Sequence, residues 1–293
     1  MATRTVTWAE LEAGAARRLG NSREARWLTE EASGRPAMEW QAPATARGAA
    51  RLTGMVERRL AGEPLQYVIG HWPFRHLDLL VDRRVLIPRP ETEITAEVAL
   101  EEAVRGGARR GAPDPWGSVA PGYPVADLGT GSGALALALA SELPEAEVWA
   151  TDADAGALTV AGANLAGLGL CATRVRLAQG LWYEALPDAL RGRLVVIVSN
   201  PPYVAEAEYA ALPAEVRDHE PRPALVAGPR GTEALETLLD GAPAWLAPGG
   251  AVVLEIAPHQ AGFLSERATG AGYRLVEVHP DLTGRDRVLV GRL

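Results

Sequence analysis

Two short stretches of the 293-residue chain hold residue types that an ordinary turn or helix start does not need. In "VADLGTGSGALALALA", Gly129, Gly131 and Gly133 fall at alternate positions between an apolar strand-like run and an apolar helix-like run. Glycines at such a turn let backbone approach a ligand closely, and the N–H groups of the new helix face it. The spacing differs from the G-x-G-x-x-G dinucleotide fingerprint. It suits a ligand with a carboxylate, an amine and a ribose in place of a pyrophosphate. The next strand-like run, "EVWATDAD", ends at Asp152, 19 residues after Gly133, where a carboxylate can accept from both ribose hydroxyls. NAD and S-adenosylmethionine both carry that diol, and these two features leave the choice open.

The second stretch is "VVIVSNPPYV", Val195 to Val204, an apolar run that meets Asn-Pro-Pro-Tyr. Pro201 and Pro202 lack N–H groups and fix φ, so the loop is rigid and the preceding carbonyls are freed from a sheet ladder. Asn200 then presents an amide oxygen, and the backbone carbonyl after it a second acceptor. Two fixed acceptors suit a planar NH₂ group, whose delocalised lone pair makes it a poor nucleophile. Hydrogen bonds to both its hydrogens orient it and stabilise the positive charge that develops as it attacks a methyl sulfonium. Tyr203 would pack on the flat face of the substrate.

Elements must bring the two stretches together. From Tyr123 onward strands near 123–128, 147–152, 173–178, 194–199, 250–256, 273–279 and 286–291 alternate with helices near 133–142, 154–167, 231–246 and 259–269. Such alternation predicts a mostly parallel, Rossmann-like α/β sheet covered on both faces. The last two strands are too close in sequence for a helical crossover and should pair antiparallel at the sheet's end. Asn200 would then sit at the carboxyl end of the fourth strand, beside the first.

Ahead of this lie helical patterns over Thr7 to about Glu31, with Trp8, Leu11, Ala15, Leu19, Ala25, Trp27 and Leu28 at helical spacings, and over about 45–60. Thr7 and Glu10 form a capping-box signature. "YVIGHWPFRHLDLLVDRRVLIP" reads as extended chain forming a hairpin, a helix starts after Pro90, and residues 106–121 read as a mobile Gly/Pro-rich loop. The expected division is a helical domain over 1–62, a β-hairpin linker over 63–90 and an α/β domain over 91–293.

The net charge of −8 argues against a broad grip on nucleic acid. Up to Val85 there are 13 arginines against 10 acids, and beyond it 16 against 27. The single cysteine, Cys171, excludes an internal disulfide and a thiolate zinc site. The five histidines show no ligand spacing, so no metal is expected. No h-region and no run of 18 apolar residues occurs, which predicts a soluble cytoplasmic protein without membrane contact.

With both stretches in place, the chain resembles the release-factor glutamine methyltransferases, the HemK or PrmC family, over essentially its whole length. The resemblance rests on "GEPLQYVIG", "LIPRPETE", "DLGTGSGALALALA", "SNPPYV", "EVRDHEPRPALVAGPRG", "APGGAVVLEI" and "DLTGRDRVLVGR". Asn-Pro-Pro-Tyr alone also marks adenine and guanine amino-methyltransferases; "IPRPETE" behind a helical N-terminus is more specific.

The family implies methyl transfer from S-adenosylmethionine, leaving S-adenosylhomocysteine, to the glutamine amide nitrogen in the Gly-Gly-Gln motif of class 1 release factors. By position, the loop of Gly129, Thr130, Gly131 and Gly133 would hold the methionine moiety, Asp152 the ribose and Trp182 the adenine, with Asp127 also among the cofactor-binding residues. Asn200, Pro201, Pro202 and Tyr203 would clamp the glutamine, with Asn200, Pro201 and Tyr203 as the catalytic set and Asn200 also beside the cofactor. The N-terminal helices would recognise the release factor, with the enzyme a monomer. Family members usually carry an acid just before the aromatic at 182, where this chain has Leu181; an acid there would take a hydrogen bond from the adenine amine. Another protein glutamine, a nucleobase amine and a non-catalytic S-adenosylmethionine-binding role are the alternatives.

Overall fold

The computed structural model describes residues 6–108 and 122–293, which form two units. One runs to His71 and includes Pro213–His219; the other comprises Trp72–Leu212 and Glu220–Leu293.

In the first unit, α1 (Trp8–Leu19) begins on a reciprocal capping box: the Glu10 N–H donates to Thr7 Oγ1 at 3.3 Å and the Thr7 N–H to Glu10 Oε2 at 3.0 Å. The helical pattern over 7–31 is two helices rather than one. Gly20, at φ 65°, supplies a left-handed stop, and Asn21 next to it caps α2 (Ser22–Ser33) by accepting from the Arg23 and Glu24 N–H groups. α3 (Ala46–Leu60) approaches α1 closely at Gly48, where a Cβ would lie 2.5 Å from the Trp8 ring. Trp8, Leu28, Leu52, Met55 and Val56 form the core, while Trp27 turns outward beneath the Arg23 guanidinium.

The extended chain expected from Tyr67 is instead helical, as α4 (Leu65–Ile69). Leu65 and Val68, three apart, bury one face, and Arg58 donates to the Tyr67 and Val68 carbonyls while gripping Glu63 through two nitrogens. A five-residue helix is too short to show a period. Gly70 ends it at φ 95°.

The hairpin of β1 (His71–Phe74) and β2 (Leu77–Leu80), all but its first residue in the second unit, is followed by α5 (Pro90–Ala108), which begins on proline as a first helical turn permits. Residues 106–108, expected in a loop, continue that helix, and 109–121 of the loop lie outside the described residues.

The main sheet contains β3 (Pro124–Leu128), β4 (Glu147–Asp152), β5 (Val175–Gln179) and β6 (Leu194–Ser199); α6 (Ala134–Glu142) and α7 (Ala155–Ala166) link the first three. A small parallel pair, β7 (Val204–Ala205) and β8 (Val226–Gly228), follows Asn-Pro-Pro-Tyr and went unpredicted because its strands are two and three residues long. β9 (Leu246–Glu255), β10 (Leu275–Pro280) and β11 (Asp286–Arg292) complete the large sheet, in the order β10-β11-β9-β6-β3-β4-β5. β9, β6, β3, β4 and β5 run parallel, and β11 is antiparallel to both neighbours, as the short final connection requires.

Alternate strand residues feed two cores. Val125, Val196, Val198 and Val253 meet Ala96, Ala99, Leu135 and Leu139 of α5 and α6. Ala126, Leu128, Ile197 and Leu254 meet Leu235, Leu238 and Leu264 of the helices Glu233–Gly241 and Ala261–Gly270. Both faces are covered, so the strand ends are where polar side chains can gather. Among the described residues no helix is long and apolar enough to cross a membrane, and no group of three His, Cys, Asp or Glu side chains is placed to hold a metal.

Candidate active site

The glycine loop is folded by its own backbone. The Gly129 and Thr130 N–H groups both donate to the Thr151 carbonyl at the end of β4, at 2.8 and 2.9 Å. Gly129, Gly131 and Gly133 take φ of 80°, 56° and 88°, a region that side chains disfavour. Added Cβ atoms would meet Trp182 at 3.3 Å from Gly129 and Leu137 at 3.1 Å from Gly133, whereas one on Gly131 would meet nothing within 4 Å. Gly131 thus borders open space, while the other two permit close packing.

Asp127 holds the loop from behind. Its Oδ2 accepts the Thr130 hydroxyl at 2.7 Å and the Ala136 N–H at 3.0 Å, and Oδ1 is buried with no partner among the described residues. Burial is the main reason its pKa is pushed up to about 7. Asp152 stands on the open side: Oδ2 accepts the Gly131 N–H and Oδ1 the Asp154 N–H, each at 2.9 Å. Burial raises this carboxyl too, against those two bonds.

At the end of β6, beside β3, Asn200 Nδ2 donates to Thr92 Oγ1 at 3.1 Å, and the Thr92 hydroxyl donates to Glu255 Oε2 at 2.7 Å. Asn200 Oδ1 is buried and has no partner among the described residues. Glu255 is 1% exposed, and burial raises its pKa. It also accepts from Thr95 at 3.3 Å and from the Tyr203 hydroxyl at 3.4 Å. The loop beyond is fixed by Gln260, whose amide donates to the Tyr203 carbonyl at 3.0 Å and to that of Gly231 at 2.9 Å. Glu220, ion-paired with Arg89 and accepting from the Ile87 N–H, pins the turn that carries Pro221 and Pro223.

Both stretches singled out in the sequence open onto one cavity of about 250 Å³. Gly129, Thr130, Gly131, Asp152, Trp182, Asn200, Pro201 and Pro202 line it, together with Thr92, Leu181 and the Pro221–Ala224 turn. Ala134 and Leu135, at the start of α6, also reach it, where a helix leaves N–H groups without intrahelical partners. Trp182 lines the wall with a positive φ of 49°, a strained conformation for a tryptophan.

Three residues assigned to ligand contact stand elsewhere. Asp127 is spent on Thr130 and Ala136, Gly133 faces Leu137, and Tyr203 turns its hydroxyl to Glu255 and packs with the core rather than on the cavity. Thr92, Glu255 and Gln260 were not singled out in the sequence. A carboxylate inside the apolar run "AVVLEI" was the available signal for Glu255.

The lining suits the chemistry of S-adenosylmethionine on two observations: open space beside Gly131, and a carboxylate at Asp152 held by backbone N–H groups with lone pairs to spare.

A family model described as the PrmC N-terminal domain matches residues 6–70, and one described as the methyltransferase small domain matches 119–215. A release factor glutamine methyltransferase of Moorella thermoacetica is 46% identical over 241 residues, covering 82% of this chain and 78% of its own. One from Xylella fastidiosa is 42% identical over 250 residues, covering 85% and 84%. A solved methyltransferase from Pyrococcus furiosus is similar in fold, with a TM-score of 0.50 at 20% identity over 85% of this chain and 98% of that one. At such identity over most of both chains, and with both family models in chain order, this protein is an enzyme belonging to the release factor glutamine methyltransferase family.

Proposed function

We propose that this chain methylates the side-chain amide nitrogen of the glutamine in the Gly-Gly-Gln motif of class 1 release factors, using S-adenosylmethionine, as a cytoplasmic monomer. The observation that carries the reading is Asn200 Oδ1, a buried acceptor with no partner among the described residues, on the cavity that Gly131 and Asp152 also line. The relatives' names supply the substrate. When bound, S-adenosylmethionine provides an electrophilic methyl group on a sulfonium.

The chain's own residues do the rest. Asp152 accepts the ribose hydroxyls, the Gly129–Gly131 backbone follows the methionine moiety, Trp182 lies along the adenine, and Asp127 keeps the loop in shape. Asn200 Oδ1 and the Pro201 carbonyl accept the two hydrogens of the glutamine amide, fixing its plane and stabilising the charge that grows on nitrogen. No strong base is required, because the acidified amide proton leaves to water after transfer. Helices within 1–62 recognise the release factor, 63–90 links, and 91–293 carries the chemistry. The excess of acids beyond Val85 disfavours a nucleic-acid substrate.

The test is Asn200→Ala. Turnover on a release factor should fall by about 100-fold or more, while S-adenosylmethionine affinity stays within about threefold in a calorimetric titration. Turnover like the parent chain's would remove the mechanism.

A further inference from the structure

Asn200 can act as an acceptor only if its amide faces the right way. A side-chain amide has two nearly isosteric orientations, and the donor and acceptor groups around it choose between them. The group that the Asn200 amide meets is Thr92, which comes from the start of α5, 108 positions away.

A threonine hydroxyl has a single proton. Here that proton goes to Glu255 Oε2 at 2.7 Å, so towards Asn200 the Thr92 oxygen can only accept. Asn200 must therefore present its NH₂ to Thr92, at 3.1 Å, and its oxygen is left for the cavity. Two hydroxyls, Thr92 and Thr95, converge on Glu255 Oε2, at 2.7 and 3.3 Å. That oxygen thus remains an acceptor even if the carboxyl takes up a proton, which would sit on Oε1 opposite Tyr203. Were the Thr92 proton not committed, it could be donated to Asn200 Oδ1 after an amide flip. The flip would consume the acceptor and point two donors at a substrate that brings donors of its own.

We propose that Thr92 and Glu255 are positioning residues that fix the Asn200 side-chain amide with its oxygen toward the substrate. This deepens the proposed function and rests on it. Neither residue touches the reacting atoms; both act through Asn200.

The test compares Thr92→Val, Thr92→Ala, Thr92→Ser and Glu255→Gln in the full chain, with a release factor as methyl acceptor. Val and Ala remove the hydroxyl at two different volumes, so that a folded variant is available to read. We expect kcat to fall about tenfold or more in both, with KM for the release factor changed less than about threefold and S-adenosylmethionine affinity retained. Thr92→Ser restores kcat to within about threefold, because the hydroxyl returns. Glu255→Gln stays within about fivefold, because its carboxamide oxygen can take the place of Oε2. A folded Val or Ala variant with unchanged kcat, or a Ser variant as slow as Ala, overturns the inference. A parent chain that binds S-adenosylmethionine yet methylates no glutamine overturns the reading beneath it instead.

Discussion

The Gly131 N–H and Asp152 Oδ2, 21 positions apart, are joined by a 2.9 Å hydrogen bond that ties the glycine loop after β3 to the end of β4. The other carboxylate oxygen accepts the Asp154 N–H, so backbone on two sides fixes where this charge stands. Asp152→Asn keeps one acceptor oxygen and loses the other. S-adenosylmethionine affinity should fall roughly tenfold in that variant and about 100-fold in Asp152→Ala, each lost charged hydrogen bond costing ~1.5–3 kcal/mol. Calorimetric titration of the variants reads this directly; unchanged affinity in Asp152→Ala would place the ligand elsewhere.

The loop glycines should separate folding from binding. At Gly131, alanine meets a positive φ and open space, so the cost to stability is about 1–2 kcal/mol, while the methyl group enters the cavity and weakens ligand binding. At Gly133, the same backbone strain is joined by a 3.1 Å approach to the buried Leu137, adding about 1–3 kcal/mol. Urea unfolding should therefore rank Gly133→Ala as the less stable variant, and titration should find Gly131→Ala the poorer binder relative to its stability.

Asp127 makes stability depend on pH. Its pKa is raised from 3.8 to about 7, so the folded state holds a proton that the unfolded chain has released. The folded protein is thus favoured at low pH and loses that contribution as pH climbs toward 7. Asp127→Asn keeps an acceptor for Thr130 and Ala136 and cannot titrate. Between pH 5 and 8 the parent chain should lose on the order of 2–3 kcal/mol relative to this variant, without added ligand. Parallel pH profiles for the two would show that Asp127 is ionised in the fold.

Leu181 lines the cavity beside Trp182 and is 50% exposed. A carboxylate there can reach a ligand amine at little desolvation cost. Leu181→Glu should tighten S-adenosylmethionine binding by about 3- to 10-fold, one charged hydrogen bond partly offset by side-chain ordering. An analogue with the adenine amine replaced by oxygen should gain nothing, and equal gains for both ligands would rule out the contact.

The sheet was legible because each buried strand is an apolar run between turn residues, and because the connection lengths decide parallel from antiparallel pairing. The cavity's two walls were legible for a similar reason: alternate glycines and paired prolines have local backbone consequences. The Asn200–Thr92–Glu255 chain was not, since its hydrogen bonds span 108 and 163 positions and leave no periodic trace. The hydrogen bonds by which Asp127 holds its loop through Thr130 and Ala136 were not legible, because residue type alone does not say which face of a turn a carboxylate serves. α4 escaped because its five residues, with Leu65, Tyr67 and Val68 buried, look the same as a short strand.

The most direct measurement is the mass of the Gly-Gly-Gln peptide from a release factor co-expressed with this chain or with its Asn200→Ala variant. The proposed methylation adds one methyl group, on the glutamine amide nitrogen, with the parent chain and leaves the peptide unmodified with the variant. An unmodified peptide beside a parent chain that binds S-adenosylmethionine, or a methyl group on any other residue of the release factor, would contradict it.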